Sequence, residues 1–96
     1  MVIGLLKLEI YIESSRSLKD KRKIIKSLIQ KLKTKYSNLS VSEVEFLNNW
    51  KKSVIAVVTV SNEITYINSV LDKALNYINE GSNYQVVDTE IELLKY

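Results

Sequence analysis

Apolar and polar positions alternate from Val2 to Glu13, with Val2, Gly4, Leu6, Leu8, Ile10 and Ile12 on one side and Ile3, Leu5, Lys7, Glu9, Tyr11 and Glu13 on the other. A period of two is that of a β-strand. After a turn at Ser14-Ser15-Arg16-Ser17 the period lengthens, and Leu18, Ile25, Leu28, Ile29, Leu32 and Tyr36 recur at three, four and seven, the spacing of one buried helix face. Ser17 suits the N-cap and Asp20 the third helical position, where negative charge favours the helix dipole. Lys31, Lys33 and Lys35 suit its negative end.

Ser37-Asn38 ends this helix. Alternation returns from Ser40 to Leu47, with Ser42, Val44 and Phe46 on one side and Val41, Glu43, Glu45 and Leu47 on the other. Asn48 to Lys52 connects it to Ser53–Ser61, SVIAVVTVS, an almost wholly apolar, β-branched run suited to a central strand. Asn62 is expected to cap a second helix, Glu63 to Glu80, burying Ile64, Ile67, Leu71, Ala74 and Ile78, with Gly81 at its C-terminal end. Tyr84 to Leu94 is the last strand, with Val87, Thr89, Ile91 and Leu93 inward and Asp88, Glu90 and Glu92 outward. The order β-α-β-β-α-β predicts one α+β domain over residues 1–96. It is a ferredoxin-like two-layer sandwich, with a four-stranded antiparallel sheet in the order 4-1-3-2 and both helices on one face.

Two layers leave the far face of the sheet open. Its centre is expected to carry Ile3, Leu5, Tyr11, Ile55 and Val57, flanked by Glu43 and Glu45 on one edge and Asp88, Glu90 and Glu92 on the other. An apolar strip of this kind marks a contact surface for a second copy or another protein, unless it is the ordinary scatter of surface hydrophobes. The same face argues against RNA recognition on the sheet, because Tyr11 stands alone where paired aromatics would stack bases, and the acidic edges repel phosphate.

Charge changes the picture most. Arg16 to Lys35 holds nine basic residues and one acid, a local +8, whereas the rest of the chain sums to −5. Lys19, Arg22, Lys23, Lys26 and Lys33 share the helix face opposite the apolar stripe, so the chain is a mildly acidic body bearing one basic helix. Such a face can follow a phosphate backbone, or can be merely a solvated lysine-rich surface. The apolar stripe is needed for the core and cannot also enter lipid.

With no cysteine and no histidine, thiol chemistry, thiolate zinc sites and the usual proton shuttle near neutral pH have no residues to use. No apolar run approaches the roughly 18 residues that span a bilayer, and the N-terminus lacks the pattern of a signal peptide. A cytoplasmic protein is expected. The side chains around the loop include Trp50, which either stacks on an unpaired base or folds back over the end of the sheet, together with Lys51 and Lys52. Arg16 and the helix N-terminus form a weak anion site without the glycine-rich cradle that a phosphatase in this topology would want. The paired acids Glu43/Glu45 and Asp88/Glu90/Glu92 are explained by protection of edge strands. Catalytic residues, a metal site and a cofactor are not expected.

The opening strand VIGLLKLEIYI, then SRSLKDKRKIIKSL, VSEVEFLNNW and the run into AVVTVSNE together resemble the YlxP-like family of small bacterial proteins, a domain of unknown function. The resemblance spans essentially the whole chain, with SLKxKR at Ser17, Leu18, Lys19, Lys21 and Arg22, the EV pair at Glu43 and Val44, and the tryptophan at Trp50. Phe46-Leu47-Asn48-Asn49 replaces a stretch that is usually more acidic or contains histidine. The resemblance implies a ferredoxin-like fold, a bacterial cytosolic setting and, from the genes commonly found alongside, a role near translation initiation and small-subunit maturation. No catalytic residues come with it. The expected function is therefore a non-enzymatic accessory protein binding ribosomal or other structured RNA through Arg16, Lys19, Arg22, Lys23, Lys26 and Lys33, with Trp50, Lys51 and Lys52 contributing if they lie nearby. The alternative is a protein-interaction or homodimerisation module that uses the sheet face and binds no nucleic acid.

Overall fold

Strict alternation in the first strand lets one side of it be wholly buried, and this strand is the spine of the sheet. The computed structural model describes all 96 residues. Its elements are β1 (Val2–Tyr11), α1 (Leu18–Lys35), β2 (Ser40–Glu45), β3 (Lys52–Ser61), α2 (Ile64–Asn79) and β4 (Gln85–Lys95). The strands form one antiparallel sheet in the order β2-β3-β1-β4, which is the expected arrangement viewed from the other edge.

The core lies between the sheet and the helices. Leu6, Leu8 and Ile10 of β1 meet Ile25, Leu28 and Leu32 of α1 and Ile67, Leu71 and Ile78 of α2. Gly4 lies where α2 comes closest to the sheet, and a methyl group there would overlap Ile67 and come within 3.0 Å of Leu71. Gly81 follows α2 without a positive φ, so it is not there for a left-handed turn. A side chain on it would overlap the Tyr84 ring, whose hydroxyl donates to the Ile78 carbonyl at 2.6 Å. Burial holds the Tyr84 hydroxyl's pKa above its ordinary value, with Tyr77 adding to the effect.

Ser17 caps α1 as expected, its Oγ accepting the Asp20 N–H at 3.1 Å. Asn62 does not cap α2. Glu63 takes the N-cap position without a side-chain bond, and its own N–H donates to Ser61 Oγ at 3.1 Å.

The assignment of strand faces needs three corrections. Val57 pairs with Leu6 and Ile55 with Leu8, so both face the helices and are fully buried. They are core residues, and the open face of β3 instead carries Val54, Ala56, Val58 and Val60. Second, the β2–β3 register shifts between Glu43 and Glu45. This bulge turns Glu43 toward α1 and leaves Glu45 on the open face, where it pairs with Lys7 at 3.5 Å. Third, a register shift in β4 places Val86 opposite Ile10, so Val86 packs on the core while Val87 is exposed.

Candidate nucleic-acid interface

Helix periodicity alone places Lys21 in the apolar stripe, four, seven and eleven residues before Ile25, Leu28 and Leu32. The structure buries it with them, and its side chain has no solvent exposure. A buried ammonium needs an acceptor for each proton. Its Nζ donates to Glu43 Oε2 at 2.8 Å and to the carbonyls of Phe46 at 2.8 Å and Leu47 at 3.3 Å, with Lys52 O at 3.4 Å. Ser53 Oγ donates to the same carboxylate oxygen at 2.6 Å.

Phe46 has φ +61°, a left-handed conformation unusual for a bulky residue. It occurs in the segment whose carbonyls converge on the ammonium, and the Lys21 bonds hold that segment against the first turns of α1. The loop that follows is tied internally as well. The Asn49 N–H donates to Phe46 O at 3.0 Å, and Asn49 Oδ1 accepts the Lys51 and Lys52 N–H groups, each at 2.9 Å. The Lys51 ammonium donates to the Glu13 carbonyl.

An ordered loop therefore stands beside the basic helix, and its large side chains point to solvent. Trp50 is 57% exposed, Leu47 52% and Phe46 43%. Trp50 does not plug the end of the sheet. Lys52 places its ammonium 5.8 Å from the Phe46 ring centre, within cation–π range.

Arg16, Lys19, Arg22, Lys23, Lys26 and Lys33 are all exposed, and none forms a salt bridge; the domain's only two join Lys7 to Glu45 and Lys21 to Glu43. At 3.6 residues per turn, Lys19, Arg22, Lys23, Lys26 and Lys33 fall within an arc of about 100°, and Lys19 to Lys33 spans about 21 Å. Arg22, Lys26 and Lys33 also line a groove of about 660 Å³ between α1 and the edge strand β2, floored by Ile25 and Ile29 with Glu43 on its far wall. Lys23 and Lys31 line a second groove of about 440 Å³ toward the end of α2. Arg16 lies at the start of the ridge. Its N–H donates to Asp20 Oδ2 at 3.2 Å, so the carboxylate of Asp20 already occupies the anion position at this helix end.

The opposite side of the molecule has the opposite charge. Glu9, Glu45, Asp88, Glu90 and Glu92 lie on the open sheet face, offset by Lys7 and, beside Tyr11, by Lys52. Of the expected contact residues, Ile3, Leu5 and Tyr11 are on this face and half-buried. No three His, Cys, Asp or Glu side chains cluster as metal ligands do, and no helix is long and apolar enough to cross a membrane.

The model of the family described as a protein of unknown function (DUF503) matches residues 3–91. The uncharacterized protein YlxP of Bacillus subtilis (strain 168) is 27% identical over 91 residues, which cover 95% of this chain and 98% of YlxP. Among solved structures, the de novo designed protein Foldit4 superposes with a TM-score of 0.55 at 13% identity, covering 99% of this chain and 97% of the design. A second design, described as having a ferredoxin fold, gives 0.48 at 10% identity over 98% of this chain and 84% of its own. The element order and the strand order β2-β3-β1-β4 make the architecture ferredoxin-like, and the family match extends over nearly the whole domain: the chain belongs to the DUF503 family and is YlxP-like.

Proposed function

We propose that this protein is a non-enzymatic accessory factor that binds structured RNA, ribosomal RNA in particular, through α1, in translation or small-subunit maturation. The observation that carries the reading is the ridge of cations on α1 that lack intramolecular partners. Cations already neutralised by the domain's own carboxylates would have little to offer a polyanion. About 21 Å of ridge matches the axial rise of roughly six phosphates along one strand of a duplex.

The loop held by Lys21 adds a different kind of contact. Cations track a backbone without reading it, whereas an exposed indole stacks on a base that has left the helix. The loop meets α1 on its Lys21 face, across the helix from the ridge, so an RNA touching both would wrap the start of α1, with a duplex backbone on the ridge and an unpaired nucleotide at Trp50. The translation setting comes from the family resemblance, and the RNA class comes from the side chains.

Trp50 is the only tryptophan in the chain, so its fluorescence reports on the loop directly. Titration with a hairpin RNA carrying a single-stranded flank is expected to quench it saturably, and Trp50→Ala should weaken binding to a labelled RNA by about tenfold, within the 1–3 kcal/mol of a base stack. Binding without any change in Trp50 emission would remove the loop from the interface and leave the helix.

A further inference from the structure

The two edges of the sheet are built differently. Along β4, Asp88, Glu90 and Glu92 stand exposed, the kind of charge that keeps a strand edge from pairing with other chains. The edge strand β2 also carries two acids, and neither guards it. Glu43 is turned inward to Lys21 and Ser53, and Glu45 is drawn over the open face to Lys7. The bulge lies beyond Glu43, so Ser40–Glu43 pairs regularly with β3. On its other side β2 has no neighbouring strand, and no turn or loop forms a backbone hydrogen bond to it.

Alongside this edge runs the groove of about 660 Å³ that is floored by Ile25 and Ile29 and lined by Arg22, Lys26 and Lys33. Ile29 packs on the core and is only half-buried. The three cations pair with no carboxylate of their own chain, and the acid in the groove wall, Glu43, is neutralised by Lys21. A bare strand edge, an apolar floor and unpaired cations therefore lie side by side.

We propose that β2 and this groove take up an extended acidic segment of a partner protein as an added strand of the sheet. Main-chain bonds to Ser40–Glu43 hold it, and every second side chain points toward α1. Those side chains follow the order acid, apolar, acid. The apolar one covers Ile29. The two acids, about 13 Å apart along the strand, face Arg22 and Lys33, about 16 Å apart along α1, with Lys26 between them. Hydrogen bonding and charge select this occupant. RNA cannot continue a ladder of N–H and C=O groups, and a second copy paired through β2 would bring two sets of like cations together. The surface goes beyond the RNA reading and does not depend on it. Both draw on Arg22, Lys26 and Lys33, so the segment and an RNA exclude each other.

The probe is the peptide Thr-Glu-Thr-Ile-Thr-Glu-Thr, which reads the same in both directions, added to the isotope-labelled full chain. Saturable binding below about 1 mM should shift the amide resonances of Ser40–Glu43 and slow hydrogen exchange of their outward-facing amides, leaving β4 untouched. Two versions of the peptide N-methylated at alternate residues each block one of its edges, so one should lose binding and the other keep it. Arg22→Glu with Lys33→Glu should weaken the peptide by at least about tenfold. No binding at about 1 mM, shifts on α1 with none on β2, equal binding of the two methylated versions, or a hairpin RNA that slows the β2 amides as the peptide does would each overturn the proposal.

Discussion

Replacing Lys21 with alanine is expected to lower the unfolding free energy by about 3–5 kcal/mol, the range for removing one member of a buried ion pair. In a domain of this size that shifts the melting temperature by more than about 12 °C. The change leaves Glu43, whose side chain is only 15% exposed, without its cation, and deprives the Phe46, Leu47 and Lys52 carbonyls of the same donor. It also opens a cavity beside Ile25 and Leu28. The paired replacement Lys21→Met with Glu43→Leu removes both charges and refills the space, so it should recover most of the loss. Equilibrium urea denaturation of the single and double variants measures both. A single-variant loss below about 1 kcal/mol would mean that water reaches the ammonium and that the pair behaves as a surface one.

The second large effect concerns binding. Lys19→Glu, Lys26→Glu and Lys33→Glu together reverse three of the ridge cations and change the net charge by −6. Each phosphate contact both vanishes and becomes a repulsion, so RNA affinity at about 0.1 M salt should fall at least about a hundredfold. Stability should stay nearly unchanged, because the substituted positions are solvent-exposed and the new pairings of positions 19 and 26 with Lys23 and Arg22 offset the acid placed in the last turn of α1 at position 33. Gel-shift titration alongside thermal denaturation separates the two readouts. Undiminished binding in a folded triple variant would exclude α1 as the RNA surface.

The fold was legible because the chain changes period cleanly, from two in β1 to 3.6 in α1 and α2, and because β4 alternates acids with apolar residues. The face assignment of β3 was not. Its two sets of alternate residues, Val54, Ala56, Val58 and Val60 against Ile55, Val57 and Thr59, are nearly equally apolar, so a period of two carries no contrast. Lys7, Glu9 and Glu45 close over Val54 on the open face, and it is as buried there as residues in the core. The bulge between Glu43 and Glu45 has no signature in residue type either, yet it sends two acids that are two apart to opposite faces.

Lys21 was missed for a different reason. By residue type it belongs with the basic surface, and by spacing it belongs with Ile25, Leu28 and Leu32. Spacing decided, because a carboxylate and backbone carbonyls from the β2–β3 segment could satisfy the ammonium. The available signal was a lysine on the apolar stripe combined with a glutamate on the neighbouring strand. The exposed cations of the candidate interface were legible as a cluster, since opposite faces of an amphipathic helix follow directly from its period. What spacing could not give was the proximity of the Trp50 loop to that helix, which depends on the Lys21 contacts.

Binding of a polyanion by α1 is tested most directly by the salt dependence of RNA affinity, with Trp50 fluorescence or a labelled RNA as the readout. Four to six phosphate contacts should give a linear plot of log affinity against log salt with a slope of about −3 to −5. A slope near zero, or no saturable binding at low salt, would contradict it.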